Sequence, residues 1–327
     1  MDILPLAPDG EPALLRGVVD LANAVSRVDA PWWHPETLEN LVGAMQHGWD
    51  GEPAEHHVGV EGDRVVALGK VSVSVWDNLD LAWLEVDVHP DRRRQGLGTR
   101  MWERVHQRSD ELGRTKIGTD AWDGSPGEPF ANKRGLTRKS QSINRRQHLE
   151  ELDLAEVRTL HADAAAAASA YELLRIEGST PEELLPAMSE MVASINDAPL
   201  DDLDIEDEVF PPERIRTYER AQASRGYRVH RVVARHRESG ELAGHTVVAV
   251  DSARPHLGYQ HDTTVVQAHR GHRLGLLLKA DMNLWLAESE PELRTVDTWN
   301  AESNDHMIAV NEALHYRWMG RGLELQP

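Results

Sequence analysis

The sequence predicts an α+β chain of two tandem domains, each a mixed, mostly antiparallel sheet flanked by helices. Three observations predict it. A strand, a basic Gly-rich turn and an amphipathic helix follow one another from Val86 to Leu112, with the turn written Val86-Asp-Val-His-Pro-Asp-Arg-Arg-Arg-Gln-Gly-Leu-Gly98. The same succession returns at Thr263-Thr-Val-Val-Gln-Ala-His-Arg-Gly-His-Arg-Leu-Gly275. After each helix a short apolar strand closes on Asp-x-Trp, first Asp120-Ala-Trp122 and then Asp297-Thr-Trp299. Arg93 and Arg270, Gly98 and Gly275, and the two aspartates all share one offset of 177 residues. Three landmarks at one offset mark a duplicated domain, not a short-period solenoid, and 327 residues suffice for two domains of ~150.

The first domain spans 1–150. Its strands fall near His57–Glu61, Arg64–Val75 and Ala82–Val88, and its helix runs from about Thr99 to Leu112. Residues 151–170 form a connecting helix: Leu152 to Ala170 lacks Gly and Pro and includes the alanines Ala164 to Ala168. The second domain spans 171–327 and opens on the strand Tyr171–Ile176. Thr180-Pro-Glu-Glu183 then combines an N-cap, a proline at the first helical position and a capping-box glutamate, which predicts a helix start. A helix over Pro212–Ser224 follows. Tyr227–Arg235 and Glu241–Val250 predict a hairpin around Glu238-Ser-Gly240, and Tyr259–Val266 is the strand that feeds the second turn.

A hydrophobic fraction of 40% and a charged fraction of 28% are those of a globular protein. No apolar run approaches the ~18 residues of a membrane span, and the first residues have neither the basic region nor the apolar core of a signal peptide. A cytoplasmic protein is the expectation. Cysteine is absent, which removes disulfides, thiolate metal sites and a cysteine nucleophile. The 17 histidines show no ligand spacing, so no metal is expected. A net charge of −20 argues against nucleic acid as a partner.

Against that acidity, Arg92, Arg93 and Arg94 cluster in the first turn and His269, Arg270, His272 and Arg273 in the second. Unpaired backbone N–H groups at a helix N-terminus favour an anion, and a pyrophosphate suits them. A single such turn reads most simply as a solvated basic loop; two in matching contexts favour a phosphate site in each, or one site and one relic.

An apolar strand, Arg-x-x-Gly-x-Gly and a helix together resemble the acyl-CoA-binding motif of the GNAT-type N-acetyltransferase superfamily. The likeness covers nearly the whole chain, as in the tandem group that includes mycothiol synthase, where one domain is catalytic and the other structural. It implies acetyl-CoA as cosubstrate and a small-molecule amine as acceptor. In the first turn Arg93, Gly96 and Gly98 match, so the amides of Arg94, Gln95, Gly96, Leu97, Gly98 and Thr99 would hold the pyrophosphate, and Val86 and Val88 would pair with the pantetheine arm. In the second, Arg270, Gly271 and Gly275 match, with His272 and Leu274 between them and Val265 on the strand, but Arg273 stands where the first motif glycine belongs. That arginine either crowds the turn or lends a guanidinium to a phosphate.

The resemblance also implies an Asn opening a late helix and, seven residues on, a Tyr that protonates the departing thiolate. Asn304 matches the Asn, with a plain N-cap as the alternative, but the Tyr position falls on Asn311; the first domain has Gly124 and Ala131 there. Candidate bases are Glu85 and Asp87, which share one strand face, and His261 and Asp262 in the second domain; exposed face residues are the competing reading.

The acidic segment Asp197–Glu208 would border the second domain's acceptor pocket and favour a cationic amine, or else is a solvated loop. Trp32, Trp33, Trp76, Trp83 and Trp102 frame the first domain's acceptor groove, or serve its core. The leading expectation is an acetyl-CoA-dependent N-acetyltransferase working by direct attack in a ternary complex. The alternative is a catalytically silent acyl-CoA-binding or sensing protein.

Overall fold

The computed structural model describes residues 1–327, which divide into two compact units. Unit 1 comprises Met1–Ser142, Asp201–Asp207 and Gly320–Pro327; unit 2 comprises Ile143–Leu200 and Glu208–Met319.

Unit 1 opens with β1 (Asp2–Leu6), α1 (Pro12–Asp29) and α2 (Leu38–His47). In α1, Leu15, Val18, Leu21 and Val25 recur at helical spacing and are buried. Thr37 caps α2, its hydroxyl accepting from Asn40 N at 3.2 Å. There follow β2 (Glu55–Glu61), β3 (Arg64–Val73), β4 (Leu81–Val88), α3 (Leu97–Glu111), β5 (Lys116–Trp122), α4 (Gly127–Asn132) and the start of β6 (Thr137–His148). The chain's last strand, β12 (Arg317–Gln326), completes the order β1-β2-β3-β4-β5-β12. It pairs antiparallel with β5, Glu324 opposite Asp120.

Helices cover both faces. α1 and α2 bury Leu21, Leu41 and Met45 against Val58 and Leu68. On the other face α3 and α4 set Met101, Val105 and Ala131 against Ala82, Leu84 and Leu323. β4 thus turns Leu84, with Val86 and Val88, towards α3, and alternation sends Trp83, Glu85 and Asp87 to the α1 side.

Unit 2 holds the rest of β6, then α5 (Leu154–Ala167), β7 (Tyr171–Glu177), α6 (Leu185–Val192), α7 (Pro212–Ser224), β8 (Tyr227–His236), β9 (Leu242–Asp251), β10 (Leu257–Val265), α8 (Leu274–Ser289), β11 (Thr295–Ala301) and α9 (Asp305–Ala313). Its strands run β6-β11-β10-β9-β8-β7. α8 is apolar nearly all round because it is covered on two sides. It packs on β8 and β9 through Val232, Ala234 and Val248, and Val157 and Ala164 of α5 belong to the same cluster. Leu274, Leu278 and Leu286 are buried there, each contributing roughly 2 kcal/mol.

The fold is the expected mixed, mostly antiparallel sheet with flanking helices, but three readings of the sequence change. The two units are not contiguous halves divided near residue 150. The strand beside β5 comes from the end of the chain, and the strand beside β11 comes from β6. Thr180 is not an N-cap: its N–H and hydroxyl both donate to the buried Glu219 carboxylate at 2.9 and 2.6 Å, and α6 starts later, at Leu185. The centre of the acidic segment, Asp201–Asp207, belongs to unit 1 and not to the second domain. Asp201 accepts from Ser140 Oγ at 2.8 Å, Asp204 pairs with Lys116 at 3.1 Å, and the backbone N–H groups of Asp204 and Glu206 donate to Gln326 and Asn78. Paired amides and a countercharge fix this stretch more strongly than its own charge would suggest.

One buried group sets a pH dependence. Lys279 of α8 is 1% exposed and donates to Asn311 Oδ1 at 2.7 Å, with the Tyr316 ring 4.4 Å away. Burial pushes its ammonium down to about 7. The unfolded chain binds this proton up to the ordinary lysine range and the folded one releases it near 7, so this group's contribution to stability rises with pH between the two values. The span corresponds to roughly 4–5 kcal/mol. Lys279→Met should therefore flatten stability between pH 7 and pH 10, read as urea midpoints against pH; an unchanged slope would refute the assignment.

Candidate active site

The site begins where two strands part. β4 and β5 pair in parallel only at Leu81–Lys116, Ala82–Ile117 and Trp83–Gly118, although β4 continues to Val88 and β5 to Trp122. From Leu84 onward the β5-facing edge of β4 has no strand partner. Such an edge offers N–H and C=O groups to an extended ligand.

At the end of β4 the chain turns through Pro90–Arg92 into α3. Arg94 and Gly96 take left-handed backbone, φ 62° and 82°, which bends the chain so that the amides of Arg94 to Thr99 make no hydrogen bond within the protein. Six unpaired N–H groups at a helix N-terminus form an anion site. The side chain of Arg93 does not point to a ligand. Its Nε donates to Val88 O at 3.1 Å and its Nη atoms to both Asp29 oxygens at 2.9 and 2.6 Å, clamping turn, strand and α1 together. Gly98 is set by space: a Cβ there would lie 3.2 Å from Phe130 and 3.4 Å from Val88.

Unit 2 repeats the construction. β10 and β11 pair only from Leu257–Thr295 to Tyr259–Asp297. Arg270 Nε donates to Val265 O at 3.1 Å, and its guanidinium pairs with Asp197 at 2.6 Å. The amides from Gly271 to Leu276, those of His272, Arg273, Leu274 and Gly275 among them, are likewise unpaired. Arg273 does not crowd the turn. It adopts the left-handed conformation of its counterpart Gly96, φ 58° against 82°, at a strain of about 1–2 kcal/mol, and its side chain is exposed.

The two units differ on the face opposite their long helices. In unit 1 Trp83, Glu85 and Asp87 of β4 lie beside Asp120 and Trp122 of β5. Glu85 pairs with Lys70 at 3.0 Å, and this countercharge holds its carboxyl below the usual range. Asp87 is raised to about 6, chiefly by burial and further by Glu85 and Asp29, against Lys70 and Arg93. Asp120 goes higher. Water reaches it, yet the protein packed around it removes enough hydration to push the carboxyl up to about 7; Glu85 and Glu324 add to this while Trp83 and Lys70 oppose it. Trp83 Nε1 donates to Asp120 Oδ2 at 2.6 Å. Trp122 meets Trp32 edge-on at 5.6 Å and lies 6.1 Å from Trp33. Trp102, by contrast, is a core residue on α3, packed edge-on against Phe130.

In unit 2 the matching carboxylate is closed off. Asp297 is 2% exposed and accepts from Arg146 Nε through both oxygens, at 3.0 and 3.2 Å. His261 is hydrogen-bonded to Tyr218 at 2.5 Å, and burial lowers it to about 3, so it stays neutral. Asp262 is raised by burial.

Asn304 caps α9, its side-chain carbonyl accepting from Met307 N at 3.1 Å. Asn311 is buried and spans Lys279 and Asn300. The alignment of Asn311 with Ala131 holds in the backbone: Leu314 and Tyr316 N–H close on Asn311 O as Arg134 and Leu136 N–H close on Ala131 O. Neither unit carries a proton-donating side chain at that position. No three His, Cys, Asp or Glu side chains gather as they would around a metal ion. The residue that sequence reading passed over is Asp120, visible only as a landmark of the duplication.

The sequence profile of the acetyltransferase (GNAT) family matches residues 20–129. No curated protein matches the chain. Among solved structures it is similar to a tandem GNAT protein from the clavulanic acid biosynthesis pathway, at 26% identity and a TM-score of 0.81, over 100% of this chain and 98% of that one. It shares its fold with a GCN5-related N-acetyltransferase from Sphaerobacter thermophilus, at 15% identity and a TM-score of 0.70, over 99% of this chain and 95% of that one.

The clamp on the first turn leads to a measurable coupling. Arg93→Ala should weaken coenzyme A binding roughly tenfold, about 1.4 kcal/mol, and Asp29→Ala should do the same. The double variant should be no worse than either single one, because the two side chains act as one pair. Calorimetric titration of the four proteins with coenzyme A reads the cycle, and additive losses would show that the clamp does not order the turn.

Proposed function

We infer, from a chain whose residues 20–129 are an acetyltransferase domain of the GNAT family within a tandem GNAT fold, that unit 1 transfers the acetyl group of acetyl-CoA to an amine. The observation that carries this reading is the open, titratable Asp120 beside the parting strands and the free amides of the first turn. The pyrophosphate seats on the amides of Arg94 to Thr99. The pantetheine arm follows the free edge of β4 past Val88 and Val86, so the thioester lies where β4 leaves β5.

The acceptor approaches from the opposite face, between Trp83, Asp87 and Asp120. Its nitrogen lone pair attacks the thioester carbonyl carbon, the tetrahedral adduct expels coenzyme A as thiolate by breaking C–S, and the proton lost by nitrogen passes to Asp120. A strand N–H near Val88 polarises the carbonyl. The thiolate leaves without side-chain protonation, consistent with Ala131 and Asn311 at the position where the family resemblance expects a tyrosine. Holding both reactants in one complex supplies most of the acceleration.

Carboxylates also indicate the acceptor's charge. Glu85, Asp87, Asp120 and Glu324 surround the site, against the cations Lys70 and Arg93, the second of which is already paired with Asp29. With Trp83 and Trp122 beside them, this arrangement favours a small cationic amine. For unit 2 the sealed Asp297 favours binding of acyl-CoA on the second turn without chemistry.

Release of free thiol from acetyl-CoA in the presence of a panel of amines tests this reading. Asp120→Asn should lower kcat by at least ~10²-fold. Gly96→Glu should abolish turnover, while Gly275→Glu should leave it intact. Turnover should fall as pH drops through about 7, where Asp120 takes up its proton. Tight coenzyme A binding with no turnover on any amine would instead favour an acyl-CoA sensor.

A further inference from the structure

We propose that Trp83 is a positioning residue for the proton-accepting carboxylate of Asp120, and that Gly118 is the residue that lets it reach. This rests on Asp120 serving as the base in unit 1.

Trp83 and Gly118 are register partners on the last rung before β4 and β5 separate. The indole does not stand up from its own strand; it lies across the neighbouring one. A Cβ built on Gly118 would sit 2.1 Å from Cζ3, 2.3 Å from Cε3 and 2.8 Å from Cη2 of Trp83. These are atoms of a rigid ring, so no side chain at residue 118 is compatible with this indole position. Crossing there brings Nε1 over β5, within 2.6 Å of Asp120 Oδ2, two residues along the same face.

The chemistry of that contact is specific. An indole N–H donates and cannot accept. With one lone pair of Oδ2 committed to it, Oδ1, which makes no hydrogen bond within the protein, is the favoured oxygen for taking up a proton. Trp83 therefore chooses the oxygen that exchanges protons with the acceptor amine and holds the carboxylate in one rotamer. It also opposes the groups that make Asp120 hard to ionise. Those groups are Glu85 of β4 and Glu324 of β12, whereas Lys70 of β3 also faces Asp120 and acts in the same direction as Trp83.

The duplicated domain provides a contrast. Asp297 holds the same place in its Asp-x-Trp segment, but it is buried and Arg146 donates to both of its oxygens, so neither is open to an incoming amine. A donor-only indole on one oxygen and a guanidinium across two mark the difference between a usable base and a structural ion pair.

Two substitutions break the contact by different routes. Trp83→Phe keeps a ring over Gly118 and removes the N–H; Gly118→Ala keeps the indole and displaces it. Both should move the acidic limb of kcat/KM upward by roughly one pH unit, since a hydrogen bond that favours the charged carboxylate is lost. Coenzyme A affinity should stay unchanged. A carbon-13 titration of the Asp120 carboxyl in the Trp83→Phe protein should show the same upward shift without reliance on turnover. A limb and a titration that stay in place while Asp120→Asn is inactive would overturn the positioning role alone. If Asp120→Asn remained active, the base assignment itself would fall.

Discussion

A parallel strand pair persists only while its backbones stay within about 4.8 Å and their slanted hydrogen bonds can form. β4 and β5 meet that condition for three rungs, ending at Trp83–Gly118. Several features depend on this short pairing. It leaves the edge of β4 free from Leu84 to Val88, and it directs the strand into a turn whose amides no element of the fold satisfies. At the last rung the indole of Trp83 lies over Gly118, where no Cβ would fit. The same side chain then reaches Asp120, so the residue at the point where the strands part also holds one oxygen of the carboxylate beside it.

The duplicated turn shows which parts of the device the fold itself requires. Arg93 and Arg270 make the same two attachments, to the carbonyl five residues back and to a carboxylate at the end of an earlier helical segment. The left-handed positions are also kept, although glycine fills a different one in each copy: Arg94 and Gly96 in the first, Gly271 and Arg273 in the second. Either order works because one strained L-residue is tolerable where an arginine clamp fixes the turn on both sides. Motif glycines thus record a backbone requirement that a well-anchored loop can meet in more than one way.

Much of the architecture was legible because it rests on local signals. The strands β2, β3 and β4, the hairpin of β8 and β9, and α7 over Pro212–Ser224 follow from alternation, turn residues and helix spacing. What escaped depends on distant partners. Thr180 has every mark of a cap until the buried Glu219 claims its hydroxyl. Arg93 looks like a phosphate ligand until Asp29, 64 residues away, is seen to hold it. The acidic segment gives no hint in its composition that Lys116 and Gln326 wait for it. Asp120 and Asp297 were equal as sequence landmarks, and nothing within either Asp-x-Trp tells an open carboxylate from a sealed one.

That distinction is made by the strand placed next to each. In unit 1 the neighbour of β5 is β12, the last strand of the chain, and it sets Glu324 opposite Asp120. Burial and Glu85 do most to raise the Asp120 carboxyl to about 7, and the negative charge of Glu324 pushes the same way. In unit 2 the neighbour of β11 is β6, which brings Arg146 onto Asp297 and holds it as a buried ion pair. The two insertions fill the same slot with opposite charge. Two copies of one domain, each completed by a strand from the other half of the sequence, can therefore keep the same turn of free amides and still diverge at the carboxylate of Asp-x-Trp, open in one and ion-paired in the other.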